Sequence, residues 1–129
     1  MMKFHVPIEV EAYQVADLIT TALEGGSNHW YLLRSFKDLK TAWNKDLHYS
    51  DALRENLEKG YEFYAPVFDA EEDHEKLGEL TIATIKEGLG LFAKQYTEKF
   101  VEWARTDNYD AEVADIAFQL MVMKEVVYG

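Results

Sequence analysis

The spacing of apolar residues changes along the chain and predicts strands alternating with helices. Over residues 3–9 apolar and polar residues alternate. This pattern predicts a short strand at a sheet edge, because Pro7 cannot donate a ladder hydrogen bond. From Glu11 to Ala22 the apolar residues recur at helical spacing, which predicts a first helix. Gly25 then suits the left-handed residue that ends many helices.

The middle of the chain carries weaker signals. The run 30–33 fits either a strand or the start of a helix, and apolar residues between 36 and 43 suggest one or two helical turns. Ser50 is a suitable N-cap for a short helix that Gly60 would end. The segment 61–69 is rich in strand-forming residues, which predicts a second strand interrupted or bordered by its proline.

The last third of the chain predicts two long helices after an exposed acidic loop at 69–76. Thr81 is a suitable N-cap for the longer helix, which runs to about Arg105. Gly88 and Gly90 lie inside it, and such small residues let another element pack closely.

The closing helix is predicted to begin after Asp110, whose side chain can cap it, and to run from about Ala111 to Val126. It is apolar around most of its circumference, so we expect it at the centre of the core. Together the elements predict one α+β domain over residues 1–129. About four helices would pack on a small antiparallel β element.

Composition limits the class of protein. A chain of 129 residues with 48% hydrophobic content can bury a core and is typical of globular proteins. No window approaches the roughly 18 consecutive apolar residues of a membrane span, and residues 1–7 lack the apolar segment of a signal peptide. The chain has no cysteine, which excludes disulfides and thiolate metal sites. We therefore expect a cytosolic protein without membrane contact.

The net charge of −11 argues against direct binding of nucleic acid, which needs clustered lysine and arginine. Two interpretations of the acidity remain. The acids keep the protein soluble, or they mimic nucleic acid and meet a basic partner. They are spread over helix faces and one loop rather than set in long blocks, which favours solubility.

The most informative candidate site follows the first helix, where two glycines precede the polar–aromatic cluster Asn28, His29 and Trp30. These side chains can hydrogen-bond and stack on a planar ligand. Alternatively, Trp30 packs in the core while Asn28 only turns the chain. The end of a helix carries the negative pole of its dipole. A base, nicotinamide or amide group therefore suits this place better than a phosphate.

Three further residues are candidates for the same site. Asp115 lies on a helix that otherwise looks buried, and buried acids are rare unless they are paired. Gln119 follows one turn later and shares the face of Asp115. The pair is either a structural contact or a polar anchor beside a pocket. Arg34 is the arginine nearest in sequence to Trp30, and its planar guanidinium could bind phosphate.

No catalytic set emerges from the motifs. The acids around His74 could bind a divalent cation, but the EF-hand pattern is missing, so a solvated loop is favoured. There is no Ser–His–acid pattern, no glycine-rich phosphate loop after a strand, and no helix with two histidines at i and i+4. The sequence therefore favours a non-enzymatic protein with no cofactor and no metal, although an enzyme using scattered acids remains open.

Three segments resemble motifs of a small bacteriophage protein family of uncharacterised activity. Residues 22–30 resemble its A-x-E-G-G-x-N-Y-W signature, 80–88 its middle L-T…G helix, and 110–129 its closing D-A-x-x-A-D…Q…G-E-x-V-Y-G segment. The chain departs from these motifs at His29, where the family has Tyr, and at Lys124, where it has Gly. It also departs at 122–123, within the family's A-L-F. The resemblance covers most of the chain and is weaker over 31–60.

The resemblance implies a phage accessory protein made in the cytoplasm of a host bacterium. Small phage proteins of this type often counter host defence, some by sequestering nucleotide immune signals. It also implies that the opening run and the closing segment meet in the fold. We therefore predict a protein that binds and sequesters a small nucleotide-like ligand such as a host immune signal. The predicted ligand-binding residues are Asn28, His29, Trp30, Arg34, Asp115 and Gln119.

Within that prediction, Trp30 and His29 stack on or hydrogen-bond the base, Asn28 fixes its edge and Arg34 meets the phosphates. Two other functions are weighed against it. One is an acidic inhibitor of protein interactions or nucleic-acid mimic, and the other is a nucleotide hydrolase. The ligand, the host target and the oligomeric state stay open, and a homo-oligomer is compatible with the sequence.

Overall fold

The computed structural model describes residues 8–27, 29–33, 49–71 and 75–128. Within these residues helices pack on a small antiparallel sheet, which confirms the predicted α+β class. In chain order the elements are α1 (Ala12–Thr21), a π-helical turn (Ala22–Gly26), β1 (Tyr31–Leu33), α2 (Tyr49–Lys59), β2 (Ala65–Asp69), β3 (Lys76–Leu80), α3 (Ile82–Gln95), α4 (Thr97–Thr106) and α5 (Ala111–Met123).

The three described strands form an antiparallel sheet in the order β1-β2-β3. In the central strand β2, Val67 lies opposite Leu33 of β1 and Gly78 of β3. The sequence did not indicate β3, since it follows an acidic loop and contains a glycine, a residue depleted in strands. The strand predicted at 3–9 lies mostly outside the described residues, and its described part, 8–9, is in no strand. The helical turns predicted between 36 and 43 also lie outside them.

The first helix begins as predicted and ends differently. Glu11 and Gln14 form a reciprocal capping box at the start of α1. The chain then continues into the π-helical turn, whose last residue is Gly26. Gly25 therefore lies inside that turn, and the prediction of a left-handed cap there is wrong. Gly60 is the glycine with a positive φ, +68°, among the described residues, and it ends α2 as predicted.

The longest predicted helix is two helices. Thr81 caps α3 through its side chain, as expected. Tyr96 then leaves the helical region, with φ −129° and ψ 52°, and α4 starts at the next residue. The break lets α4 fold back, so that Phe100 packs edge-on against Phe92 with ring centroids 5.7 Å apart. The described chain therefore has five α-helices where about four were predicted.

Helix α5 is the centre of the core, as its apolar circumference predicted. Asp110 caps it by accepting a hydrogen bond from the backbone N–H of Val113 at 2.9 Å. Every residue from 113 to 122 is buried. The helix ends earlier than predicted, at Met123, because Lys124 adopts a left-handed conformation with φ 68°. This is the position at which the resembled motif has glycine, the residue that tolerates that conformation best.

Glycines let three neighbouring elements approach the backbone of α5. A Cβ atom at Gly26, Gly78 or Gly88 would overlap α5, whereas one at Gly25 or Gly90 would meet nothing within 4 Å. The overlapping partners are Ala111 for Gly26, Val122 for Gly78 and Met121 for Gly88. Close packing was expected at Gly88 and is found there, and it is absent at Gly90. No helix within the described ranges is long and apolar enough to cross a membrane.

Candidate functional site

The opening run and the closing segment meet at the carboxyl group of Asp115. Its Oδ1 accepts hydrogen bonds from the hydroxyl of Ser27 and the indole N–H of Trp30, both at 2.7 Å. Its Oδ2 accepts one from the amide of Gln119 at 2.9 Å. The prediction that these two parts of the chain meet is confirmed. Both carboxyl oxygens have partners, which is the condition under which an acid is buried at little cost.

The backbone explains how Ser27 and Trp30 reach α5. Gly26 lies against the carbonyl of Ala111, so the π-helical turn contacts the start of α5 directly. The chain then turns, with the N–H of Trp30 donating to the carbonyl of Ser27 at 3.1 Å. The double glycine is therefore used for close approach at its second position.

Trp30 is a packed side chain with only 2% of its surface exposed. Tyr128 stacks on its ring at a centroid distance of 5.2 Å and an interplanar angle of 9°. Phe118 lies 5.5 Å away at 38°, and Tyr31 meets it edge-on. Of the two interpretations of Trp30, the structure shows the packed one. A planar ligand reaches the stacked face only if Tyr128 moves away.

Gln119 holds the segment 124–128, which we call the strap. Its Oε1 accepts hydrogen bonds from the backbone N–H groups of Val127 at 2.8 Å and Tyr128 at 2.9 Å. Its Nε2 donates to the carbonyl of Tyr128 at 3.0 Å as well as to Asp115. The predicted sharing of a helix face by Asp115 and Gln119 is thus confirmed. The Gln119 amide thus binds the strap backbone with its oxygen as acceptor and its nitrogen as donor.

The surroundings of Tyr128 are electrically negative. Its hydroxyl donates to Oδ2 of Asp69 at 3.3 Å. Burial raises the pKa of Tyr128, and Asp69, Glu71 and Glu75 raise that pKa further. Burial and then Glu24 likewise raise the pKa of Tyr31 on the other side of Trp30. A phosphate group would be repelled here, in agreement with the argument from the helix dipole.

The remaining predicted site residues are less informative. His29 is exposed next to the buried Trp30. Asn28 and Arg34 lie outside the described residues, so the roles predicted for them stay predictions. Sequence reasoning missed Ser27 and Tyr128. Both belong to the motif segments that carried the resemblance, and that membership was the available signal. Among the residues that the structure describes, no group of three or more His, Asp or Glu is arranged to hold a metal ion.

A separate cleft of about 260 Å³ lies between α4 and the start of α5 and shares no residue with the Asp115 cluster. Three of its lining residues already have hydrogen-bond partners. Asn108 donates to Glu102 at 2.8 Å, and Asp110 caps α5. Its lining residues are Lys99, Glu102, Asn108, Tyr109, Asp110 and Val113.

A third feature is an acidic surface around Tyr13, which is 36% exposed. Its hydroxyl donates to Asp107 at 3.0 Å. This hydrogen bond, then partial burial and the charges of Asp107, Glu11 and Asp17 raise the pKa of Tyr13. Arg54 lies 5.8 Å from the ring centroid. The surface joins acids from α1 and the α4–α5 turn that are far apart in sequence.

Comparison with known proteins adds no relative. No protein-family model matches this chain, and no curated protein or solved structure shows significant similarity to it.

Proposed function

We propose that this chain is a non-enzymatic phage accessory protein that binds a small nucleotide-like ligand and sequesters it from a host defence system. It would act in the cytoplasm of the infected bacterium. The supporting observation is the convergence of Trp30 with Asp115, Gln119 and Tyr128, of which Asp115 is already 85 positions further along the chain.

The chemistry of this convergence suits a nucleobase. An aromatic face binds a base by stacking, and a side-chain amide offers the donor and acceptor that base edges require. A buried polar network is usually no more stable than an apolar core of the same volume. Its presence at the junction of the two motif segments supports a role in recognition, beside the conformational specificity that such networks also provide.

Sequestration needs affinity and no chemical step. The proposal therefore rests on stacking and hydrogen-bonding groups alone. His29 is exposed beside the cluster and is available to contact the part of a ligand that projects into solvent. Phosphate binding through Arg34 belongs to the same proposal.

The test is thermal unfolding and titration calorimetry of the unmodified protein with cyclic ADP-ribose variants and cyclic dinucleotides. A ligand at 100 times its Kd should stabilise the folded state by about 2.7 kcal/mol. Chromatography of the ligand after incubation with Mg²⁺ or Mn²⁺ should return it unchanged, whereas product formation would indicate a hydrolase. If saturating concentrations of all these ligands leave the unfolding temperature unchanged, the proposal is wrong.

The acidic surface around Tyr13 favours a second candidate, an inhibitor that docks on a basic protein. An aromatic side chain among Glu11, Asp17 and Asp107 offers contact area together with negative charge. This candidate predicts binding to a basic host enzyme that weakens steeply with salt. The double substitution Asp17→Asn and Asp107→Asn should weaken such binding and leave nucleotide binding intact. A nucleotide ligand whose binding survives that substitution would favour the first function over the second.

A further inference from the structure

We propose that the strap fills a binding site for the planar ring of a small ligand, and that the ligand ring takes the place of Tyr128 on Trp30. This inference rests on the proposed function and names the ligand chemistry of its site. The ring would be an uncharged or cationic heteroaromatic carrying an amino group, such as adenine.

The stacking geometry carries the first step. Tyr128 lies parallel to the indole of Trp30, at 9° and 5.2 Å between ring centroids, while Phe118 and Tyr31 meet the same indole at steeper angles. Tyr128 is therefore the neighbour of Trp30 that sits as a stacked base would sit. Its removal would leave a ring-sized gap with an aromatic floor.

The hydrogen bonds carry the second step. Gln119 uses its acceptor and its donor on the backbone of Val127 and Tyr128, and not on neighbouring helices. When the strap leaves, the amide loses these three partners but keeps its bond to Asp115. That bond holds the amide in position, so its free donor and acceptor are oriented for the edge of an incoming ring.

The acidic residues around Tyr128 determine which ligand chemistry the site favours. The Tyr128 hydroxyl points at Oδ2 of Asp69 as a donor, with Glu71 and Glu75 close enough to raise the pKa of Tyr128. A ring replacing Tyr128 should therefore direct a donor, such as an exocyclic amino group, toward Asp69. The phosphates of a nucleotide would have to lie on the opposite side, away from these acids.

The strap is weakly attached apart from these contacts. Val126 and Val127 are 37% and 55% exposed, so the segment buries little apolar surface besides Tyr128. It begins at Lys124, a non-glycine residue in the left-handed region, where the backbone is strained. A ligand can therefore compete with the strap. The apparent affinity of the intact protein is then reduced by the fraction of molecules whose strap is open.

The test compares two ligands that differ in one group. Adenosine carries the amino group, and purine riboside lacks it. Calorimetry should show that Tyr128→Ala binds adenosine about tenfold tighter than the unmodified protein, since one stacked aromatic pair no longer competes. Val127→Ala alters an exposed strap residue that contributes only its backbone, and it should bind as the unmodified protein does.

The preference for a ligand with the exocyclic amino group should depend on Asp69. Tyr128→Ala should prefer adenosine to purine riboside by about tenfold. Asp69→Asn in the same background should abolish that preference, because its oxygen stays with the backbone N–H of Glu71 and its N–H₂ takes the place of the accepting Oδ2. Tyr128→Leu likewise removes the stacked ring, with a smaller loss of apolar contact, and keeps the backbone bonds to Gln119. It provides the same comparison if Tyr128→Ala does not fold.

The inference is overturned if folded Tyr128→Ala, or Tyr128→Leu in its place, binds adenosine no tighter than the unmodified protein does. It is also overturned if Val127→Ala gains as much. Its failure is separable from that of the proposed function. Cyclic nucleotides that stabilise the unmodified protein, without any gain on removing the Tyr128 ring, would leave the function standing and remove the strap site. Tight binding of adenosine by Tyr128→Ala, with no cyclic nucleotide bound by the unmodified protein, would do the reverse.

Discussion

Two buried tryptophans have opposite surroundings. Trp30 donates its indole N–H to Asp115 at 2.7 Å and lies within a polar network. Trp103 is fully buried against Phe92 and Phe100, with ring centroids 6.1 and 5.8 Å away. Within residues 8–27, 29–33, 49–71 and 75–128, its indole N–H meets no hydrogen-bond acceptor. Among the described contacts, the same side chain is thus held by a hydrogen bond in one region and by aromatic packing in the other.

The difference lies in whether the indole N–H is satisfied. At Trp103 the aromatic packing outweighs the unsatisfied donor, which costs about 1–3 kcal/mol. At Trp30 every polar group is paired, and the partners come from both motif segments. Under the proposed function, the Trp30 region is the ligand site.

The largest expected effect is that of removing the centre of the network. Asp115→Ala leaves the Ser27 hydroxyl, the Trp30 indole and the Gln119 amide each short of an acceptor. It should lower the free energy of unfolding by about 3 kcal/mol or more. Asp110→Ala, which removes the cap of the same helix, should lower it by only about 1 kcal/mol. Urea unfolding followed by circular dichroism measures both. Equal losses would mean that the network contributes no more than a helix cap.

The two tryptophans can be compared directly by Trp30→Phe and Trp103→Phe. Both substitutions remove the same volume. The first also removes a hydrogen bond to a carboxyl group, whereas the second removes an unsatisfied donor. Trp30→Phe should therefore cost about 2 kcal/mol more than Trp103→Phe in the free energy of unfolding. The same denaturant experiment measures the difference. A larger loss at Trp103 would contradict the contrast between the two regions.

A smaller effect concerns the backbone conformation of Lys124, where α5 ends and the strap begins. Lys124→Gly should raise the free energy of unfolding by about 1 kcal/mol, because glycine adopts the left-handed conformation without strain. Lys124→Ala is the control. It keeps the strain and, like Lys124→Gly, loses the exposed ion pair with Glu87 at 3.0 Å. Thermal unfolding should rank glycine above lysine and alanine lowest. Alanine matching glycine would show that the conformation is not strained.

The smallest effect concerns pH. The pKa of Tyr128 is raised in the folded protein by burial and by Asp69, whereas the unfolded chain has a tyrosine pKa of about 10. The contribution of Tyr128 to stability is therefore full below about pH 10 and falls as the pH rises toward its folded pKa. Tyr128→Phe should reduce the alkaline loss of stability. The other tyrosines whose pKa is raised, Tyr13, Tyr31, Tyr49 and Tyr109, keep part of that loss in the variant.

Unfolding curves recorded from pH 8 to 11 give the slope of the free energy of unfolding against pH for Tyr128→Phe and for the unmodified protein. The described rings packed on Trp103 are those of Phe92 and Phe100, so Trp103→Phe should leave that slope unchanged. Identical slopes for Tyr128→Phe and the unmodified protein would mean that the Tyr128 hydroxyl does not respond to its acidic neighbours.

Three helix ends were predictable because their signals are local. Thr81 and Asp110 cap backbone groups three residues away, and Gly60 ends α2 through its own φ angle. A pattern of a few residues suffices for such features. The break at Tyr96 has no comparable signal. It serves the packing of α4 on Phe92, which depends on contacts that a helical pattern does not contain.

The candidate site was half predictable. Trp30 stood out because it follows a double glycine within a polar cluster. Asp115 and Gln119 stood out because they are polar residues on an otherwise apolar helix. Tyr128 and Ser27, which complete the cluster, did not stand out from the sequence. The acceptor of the Trp30 indole lies 85 positions further along the chain, so no local pattern could assign it.

The sequence by itself determined the α+β class, the capped helices and the central position of α5, because propensity, capping and apolar periodicity act over short stretches of chain. Only the tertiary structure decided what Gly26 and Trp30 do. Gly26 is required because α5 lies against it, and Trp30 is covered because Tyr128 stacks on it. Both roles depend on which distant atoms come into contact, and the composition of the run that contains them does not encode that.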